Sequence, residues 1–549
     1  MSTVTPPADF RGTFRDDLPA RAVYAEGAGI ARCVPAAVAV PGDAADVERL
    51  VQWASTTGTP LVPRGSGSGM AGGAVGAGVV VDLSRLAAIG AVDVAARRVS
   101  VGPGAVRGAV EAAARAVGLT FPPDPSSSPF CTLGGMAGTN AAGARTMRFG
   151  ATRRWVAALD CVFADGSRAV VRRGAPPPDV APVRRFLAEV APSLVPNDVP
   201  RHAVRKESSG YALADYAASG DLVDLLVGSE GTLALFVGLE LALAPAPAAT
   251  SGVLAAYATL EGAVAGAALA RGAGASACEL LDRTFLDVAA SGATDADAHA
   301  LPTVPDAAES VILVELEGAS VDGARDAARA LADALGAAGA LDVQVALDAA
   351  GERALWALRH AASPILSRLD PSLKSMQFIE DGTVPPDRLP DYVRGVRAAL
   401  ARQGIRGVIF GHAGDANVHV NPLVDLRDPD WRARVAALLD EVTALVARLG
   451  GTLSGEHGDG RLRTPLLDRV WDADALALFA AVKRAFDPQG ILNPGVKVAL
   501  PGQAPIDDVK YDRSLPPLPA DARAALDRVA DRREYARFRL ELLRGGMAG

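Results

Sequence analysis

Pro63-Arg64-Gly65-Ser66-Gly67-Ser68-Gly69-Met70-Ala71-Gly72-Gly73 is the stretch on which the reading of this fold turns. It holds five glycines within residues 65–73. Without Cβ atoms such a backbone reaches φ > 0 and lets a ligand approach closely. Its successive N–H groups form an anion-binding concavity suited to a pyrophosphate. Thr59-Pro-Leu-Val62 leads in and Gly78-Val-Val-Val-Asp-Leu83 leads out, and both read as short buried strands. No helical pattern opens behind the glycines, which argues against a Rossmann fingerprint of strand, glycine turn and helix. Taken alone, the stretch also reads as a flexible surface loop.

The 549 residues suffice for two or three domains, and half of them are apolar, as in a globular protein. A net charge of −8 gives no reason to expect nucleic-acid binding. Cys33, Cys131, Cys161 and Cys278 are scattered without a CxxC pair. That spacing fits neither a disulfide framework nor a zinc or iron–sulfur site, and is ordinary for a reducing cytoplasm. Met1 to Phe10 lacks the basic-then-apolar pattern of a signal peptide. No apolar run reaches the ~18–20 residues of a membrane span. The expectation is a cytoplasmic protein, at most peripheral to the inner face of a membrane.

Outward from the loop, an N-terminal extension (1–33) precedes a domain over 34–246 of short strands, glycine turns and a few helices. Asp43 to Ala54 reads as a capped helix between two strands, Val99 to Leu119 as strand then helix, and Asp160 to Val171 as a hairpin turning at Asp165-Gly166. Cys131-Thr-Leu-Gly-Gly-Met-Ala-Gly-Thr-Asn-Ala-Ala-Gly143 is too rich in small residues for a normal core helix, and suits something flat lying against it. Gly228-Ser-Glu-Gly-Thr-Leu-Ala-Leu-Phe236 is a turn running into a strand, and Leu243 to Thr250 reads as a boundary linker. A second domain (247–498) alternates longer units: strands at Gly252–Thr259, Ser310–Glu317, Ser375–Glu380 and Arg406–Phe410, and helices at Glu261–Gly272, Asp322–Gly339 and Asp387–Gln403. Helices follow at Asp428–Leu449, with Asp428 as N-cap and Pro429 behind it, and at Asp472–Ala485. This is an α+β domain with helices on an antiparallel sheet. An arm (499–549) carries a charged helix over Asp521–Leu543.

Three of the six histidines fall late, at His412, His419 and His457. If Asp415-Ala416 are the central residues of a tight hairpin in Ile409–Asn421, then His412 faces His419 across the strands. Directly opposed Cβ atoms stand ~4.5–5.5 Å apart, so the two imidazoles can share a metal ion. Glu456, in Ser454-Gly-Glu-His-Gly-Asp-Gly460, offers a third ligand, and His₂Glu with an open position is a known catalytic zinc arrangement. His457 is then left to act as a base. Satisfied core histidines are the alternative for each taken singly. Arg359 and His360 read as helix-surface residues, with Arg359 able to clamp a carboxylate through its planar fork. Lys374 reads as an exposed lysine or a second anchor, and Arg461 and Arg463 are equally open.

Together these motifs resemble the p-cresol methylhydroxylase / vanillyl-alcohol oxidase superfamily. Pro63–Gly73, Cys131–Gly143 with Arg148-Phe-Gly150, Gly228–Leu233 and Leu492-Asn-Pro-Gly495 are similar to its flavin domain. Gly411–Asn421 and Ser454–Gly460 resemble the cap of the D-2-hydroxy acid dehydrogenase branch, which oxidises D-lactate, glycolate or D-2-hydroxyglutarate. The resemblance implies a two-subdomain PCMH-type FAD-binding domain, an α+β, ferredoxin-like cap and a helical C-terminal segment. It implies FAD held by Arg64, Gly65, Ser66, Gly67, Ser68, Gly69 and Met70 at the pyrophosphate. Ser127, Thr132, Gly134, Gly135, Gly138, Asn140, Gly143 and Gly150 would line the flavin, with Glu230, Gly231, Leu233 and Asn493 closing over it. The first loop lacks His and Cys, so non-covalent FAD is expected, with Cys131 the one residue against it. His412, His419 and Glu456 match ligands of a divalent metal, read as zinc, His457 the base, and Arg359, Asn421 and, more loosely, Lys374 the substrate anchors.

Two residues depart from the family pattern: Ala416 stands where Gly is common, and Asp459 replaces an apolar residue. Asp459 with Arg461 is similar to larger enzymes fused to an iron–sulfur module, but a cluster needs about four cysteine ligands, and no such grouping occurs here. The expected partners are a small 2-hydroxy acid and a separate acceptor: an iron–sulfur protein, a quinone or an electron-transfer flavoprotein. No nucleic acid is expected, and a homodimer is compatible with this reading. The rival readings are a metal-independent alcohol or sugar oxidase on the same scaffold and a non-catalytic flavin subunit.

Overall fold

The computed structural model describes residues 5–292, 302–367 and 372–544. Two small sheets form the first domain. In the first, Ala37–Val40, Val79–Asp82 and Leu61–Arg64 run parallel, with Thr13–Arg15 antiparallel at the edge. Both central runs are fully buried, as expected for parallel strands covered on both faces. The crossover helix Ala44–Thr57 starts at Asp43, whose carboxylate accepts from Asp46 N at 2.9 Å, and stops at Gly58, where φ is +69°. The second sheet orders Arg98–Val101, Ala234–Ala242, Val156–Phe163 and Arg168–Arg172, all antiparallel. Its hairpin turns at Asp165-Gly166, with Gly166 at φ +79°.

The second domain is α+β: an eight-stranded antiparallel sheet with helices on both faces. Its spatial order is Asp342–Ala346, Ala249–Tyr257, Ser310–Gly318, Ala277–Asp282, Arg406–His412, Asn417–Asp425 and Leu373–Ser375, and Gly382–Thr383 also pairs with Asn417–Asp425. Side chains alternate between faces with period two. One face sends Cys278, Leu280, Ile409, Val418 and Val420 into a core with helices Leu260–Gly272, Leu389–Arg402 and Trp431–Arg448. The other packs Leu281 and Val408 under Phe285, Leu355 and Leu358 of helices Arg283–Gly292 and Ala349–Ser367. Each large apolar side chain so buried contributes about 1.5–3 kcal/mol. Glu279, His412 and His419 share this second face, and a polar patch placed there must be internally paired.

Several local expectations are corrected. The small-residue segment does hold a helix, Leu133–Thr139, because Thr132 caps it at Gly135 N and Asn140 ends it in the left-handed region. Ser375–Glu380 is not one strand: pairing stops at Ser375, and the chain bends so that Glu380 and Asp381 turn inward. The helix expected from Asp428 begins at Trp431 behind Asp430. Leu243–Thr250 is no loose linker, since Ala244–Pro245 pairs with Leu119–Thr120. The arm's single helix is two, Ala520–Arg532 and Arg539–Arg544, broken where Arg533 adopts φ +55°. The arm folds back on the N-terminal extension, where Arg523 meets Glu26 at 2.9 Å and Ala522, Val529 and Leu540 share a core with Ala20 and Tyr24.

The hairpin between Arg406–His412 and Asn417–Asp425 has a four-residue loop, 413–416. His412 therefore opposes Asn417, and Phe410 opposes His419, in place of the direct His412–His419 pairing expected.

Candidate active site

The corrected register still brings the histidines together, now as diagonal neighbours on one face. Such pairs are ~7–8 Å apart at the backbone and within reach for ring side chains. His412 Nε2 and His419 Nε2 lie 3.3 Å apart. Glu456 Oε1 is 3.1 Å from the first and 3.3 Å from the second. The outer nitrogens are committed elsewhere: His419 Nδ1 donates to the Glu380 carbonyl at 2.8 Å, and His412 Nδ1 pairs with Glu279 Oε1 at 2.5 Å. A carbonyl can only accept, so neutral His419 presents a lone pair at Nε2, and Glu279 imposes the same on neutral His412. Three lone-pair-bearing atoms thus face one point in a buried pocket.

Two acids that the sequence reading missed organise this pocket. Asp381 Oδ2 accepts from Ser454 Oγ at 3.0 Å, Glu456 N at 3.1 Å and His457 N at 2.8 Å, so it fixes the turn that aims Glu456 and His457. Glu380 Oε2 holds His457 Nδ1 at 2.6 Å, while its other oxygen is paired with Arg463. Burial opposes charge on the His457 ring, but the Glu380 and Asp381 carboxylates outweigh it and push the imidazole up to about 10. Burial likewise disfavours the Glu380 anion, yet His457 and Arg463 hold it down to about 2. Glu279 is also held at about 2, burial being overcome by His412 and Arg359. Lys206 Nζ, 2.9 Å from Glu456 Oε2 and 3.1 Å from the Gly143 carbonyl, ties the cap to the first domain. Acidic residues beside strands are common, so nothing in the linear sequence singled these out.

The expected anchors separate. Arg359 reaches the cluster from its helix: its Nε donates to Glu279 Oε2 at 2.7 Å and its guanidinium lies 4.4 Å from the Phe410 ring centre. Asn421 shares the face of His419, two residues along the strand. Lys374 does not join them. It pairs with Val424 on the opposite face and lies 5.9 Å from the Tyr511 ring centre. The side chain of His360 falls outside the described residues. Arg461 bonds the Gly73 carbonyl at 3.1 Å and Asn493 Oδ1 at 2.8 Å, a bridge between cap and first domain. A cavity of about 910 Å³ opens beside the cluster and reaches Lys206, Asp415 and Gly455.

The glycine loops meet at one place. A Cβ on Gly65 would strike Thr132 Oγ1, one on Gly231 would strike Pro63 Cγ, and one on Gly73 would crowd Glu230 at 2.8 Å. Asn493 Nδ2 donates to the carbonyls of Gly73 at 3.1 Å and Glu230 at 2.8 Å, stapling the first and third loops together. Among the described residues, the backbone N–H groups of Ser66, Gly67, Ser68, Gly69 and Met70 donate no hydrogen bond to another protein group. Such a run of open donors on a glycine backbone is an anion nest.

The first two glycine loops lie in a segment, residues 35–172, that matches a family model described as an FAD binding domain, and residues 246–496 match the C-terminal domain of FAD-linked oxidases. The chain is 30% identical to the glycolate oxidase subunit GlcD of Bacillus subtilis, over 88% of this chain and 93% of that one. The chain belongs to the FAD-linked oxidases. It is an FAD-linked oxidoreductase, with likeness also to a D-2-hydroxyglutarate dehydrogenase of Pseudomonas putida. That relative is 30% identical over 98% of this chain, which spans only 56% of its length. Among solved structures, the 4-ethylphenol oxidase from Gulosibacter chungangensis aligns with a TM-score of 0.64 at 15% identity, over 89% of this chain and 94% of that one, a likeness of fold.

In this FAD-linked oxidase not every residue expected at the cofactor presents its side chain. Arg64 is turned into the core, where NH2 donates to the Glu26 carbonyl at 2.9 Å. Asn140 Oδ1 accepts from Arg153 N at 2.9 Å, and Glu230 accepts from Asp459 N at 2.7 Å and pairs with Lys497 at 3.1 Å. These three shape the loops from behind. Gly143, at φ +141°, leaves no room for a Cβ against the Asp124 carbonyl. Cys131 is buried, which pushes its thiol up to about 11 and disfavours the thiolate needed for a covalent link. Among the described residues, no helix is long and apolar enough to cross a membrane.

Proposed function

We propose that this protein is an FAD- and divalent-metal-dependent dehydrogenase of a small D-2-hydroxy acid, of the D-lactate, glycolate or D-2-hydroxyglutarate kind. The observation that carries the reading is the triangle of His412 Nε2, His419 Nε2 and Glu456 Oε1, with sides of 3.1, 3.3 and 3.3 Å. A tetrahedral ion with bonds of ~2.0–2.1 Å separates its ligands by about 3.3–3.4 Å, so this donor set fits zinc. Without a cation the triangle is held only by taking up a proton: burial opposes charge on His412, but Glu279 and Glu456 shift the ring towards it. The names of the relatives supply the substrate class.

FAD held at Ser66–Met70 would supply the acceptor for the C2 hydride, and a divalent ion held by His412, His419 and Glu456 would supply Lewis-acid polarisation of the C2 hydroxyl. His457 takes the hydroxyl proton at Nε2, while Glu380 holds the opposite nitrogen in the donor tautomer and orients the ring. Glu279 does the same for His412, a pairing that makes a ligating imidazole more basic. Arg359 and Asn421 orient the substrate carboxylate. Ser66 to Met70 cradle the diphosphate, Cys131 stays unattached, and electrons leave to a separate iron–sulfur protein, quinone or electron-transfer flavoprotein. Dye reduction by purified protein against D- and L-2-hydroxy acids, before and after EDTA, tests the reading. D-selective activity that is lost on chelation and restored by zinc or manganese is expected. Activity that survives complete metal removal sinks it in favour of a metal-independent oxidase.

A further inference from the structure

We infer that Arg539, on the C-terminal arm, completes the diphosphate site of the flavin cofactor, so that the arm is a clasp retaining FAD. The inference rests on the reading of Ser66–Met70 as the diphosphate cradle. Arg539 is 3% exposed, and its NH2 donates to the Ser66 carbonyl at 3.3 Å. Its Nε and NH1 are buried and have no hydrogen-bond partner. Among the described residues no carboxylate lies within ion-pair distance of Arg539 or of Arg64. Arg64 spends its bonds on backbone carbonyls, and the nearby Asp82 is taken by the Tyr24 hydroxyl at 2.6 Å and Ser84 N at 2.9 Å.

Arg64 lies behind the loop on backbone carbonyls, whereas Arg539, 5.5 Å from the Tyr535 ring centre, keeps two buried nitrogens without an acceptor and no carboxylate beside it. Burial, and then the charge of Arg64, pull Arg539 down to about 10. An uncompensated buried cation is costly, and native proteins pair such groups. A diphosphate on the open N–H groups supplies the missing charge, and the planar fork of Arg matches phosphate oxygens in geometry. The arm is built to deliver it. Arg523 binds Glu26 at 2.9 Å, the chain reverses at Arg533, and Tyr535 lodges against Phe130 with ring centres 5.3 Å apart.

The test is Arg539→Met in the full-length holoenzyme, with Arg539→Lys beside it. Release of FAD is followed by recovery of flavin fluorescence after dilution at several salt concentrations, and melting temperatures are taken with and without added FAD. The expected result is release at least ~10-fold faster in Arg539→Met, with Arg539→Lys intermediate. The metal- and flavin-free melting temperature should be unchanged or higher, since an unpaired charge has been removed, while the gain on adding FAD shrinks. Unchanged release overturns the inference. So does a lowered flavin-free melting temperature with an intact FAD gain, which marks Arg539 as packing only. Wild-type protein that takes up no FAD overturns the cradle reading itself, an outcome separate from failure of the Arg539 variants.

Discussion

Replacing Glu380 by Gln removes the carboxylate that holds His457 Nδ1 at 2.6 Å. Against an ordinary imidazole value of 6.5, the ring stands at about 10, burial being outweighed by Glu380 and then Asp381. At 1.36 kcal/mol per pH unit, that is about 5 kcal/mol of preference for the charged ring. Glu380 is the larger of the two anionic influences, so its loss should lower the value by at least ~2 units, with burial then less opposed. A base must be neutral to accept a proton, so turnover rises with pH as His457 deprotonates. In Glu380→Gln the rise moves to lower pH by ~2 units. A bound cation lowers the ring's value in both proteins, which makes the shift, not the absolute position, the quantity to read.

Loss of the orienting acceptor should also reduce the high-pH plateau by about 10–100-fold. The measurement is kcat/KM for dye reduction between pH 5 and 10 at constant ionic strength. Glu380→Gln also deprives the buried Arg463 of its nearer carboxylate, leaving Asp381 at 3.9 Å, at a cost of up to about 3–5 kcal/mol. Adding Arg463→Met should recover stability without moving the pH limb back. A limb that stays within ~0.5 unit of wild type would falsify the role of His457 as the titrating base.

His412→Ala or His419→Ala should empty the metal site, read by elemental analysis, while bound FAD stays near stoichiometric; retained metal in both would move the site elsewhere. Gly231→Ala, at φ +69° with Pro63 against the new methyl, should lose about 3 kcal/mol in urea unfolding from left-handed strain and overpacking together. Ala416→Gly should be nearly neutral by the same assay. Relief of φ +54° is worth about 1–2 kcal/mol, but the lost buried methyl and the added chain entropy offset it. With chelator present, folded His457 keeps a proton that the unfolded chain loses above pH 6.5. Stability is then full below 6.5 and falls as pH climbs towards 10, with His412 and His202 shifted the same way. The urea midpoint should be lower at pH 8 than at pH 6.

The tight glycine loops were legible because glycine is read one residue at a time: Gly231, Gly65 and Gly143 each mark a spot where a methyl has no room. The histidines were legible because few occur and they recur beside turns. Glu279, Glu380, Asp381 and Lys206 were not, since each acts on a partner far away in sequence, Lys206 on Glu456 across 250 residues. Ordinary carboxylates carry no local mark of the partner that makes them indispensable. Lys374 shows the converse error: one lysine near the right strand looked like an anchor until its pairing with Val424 put it on the other face. The arm was legible only as a charged helix, because a left-handed break at Arg533 is permitted to an arginine but not announced by one.

The hairpin explains why a wrong register still gave the right pair. The expected alignment set His412 against His419; the structure sets it against Asn417, a slip of two residues. A slip of one would have sent His419 to the opposite face with Val418 and Val420, because facing alternates along a strand. A slip of two conserves the face and only stretches the contact to a diagonal, which two imidazole rings span to 3.3 Å at Nε2. The displaced partner is put to use. Asn417, now opposite His412, donates to Asp381 Oδ1 at 3.0 Å and Thr383 Oγ1 at 2.9 Å. It thereby fastens the very acid that holds the backbone of Glu456 and His457. Parity of the strand brings the two imidazoles together, and Asn417, through Asp381, helps to position Glu456 beside them.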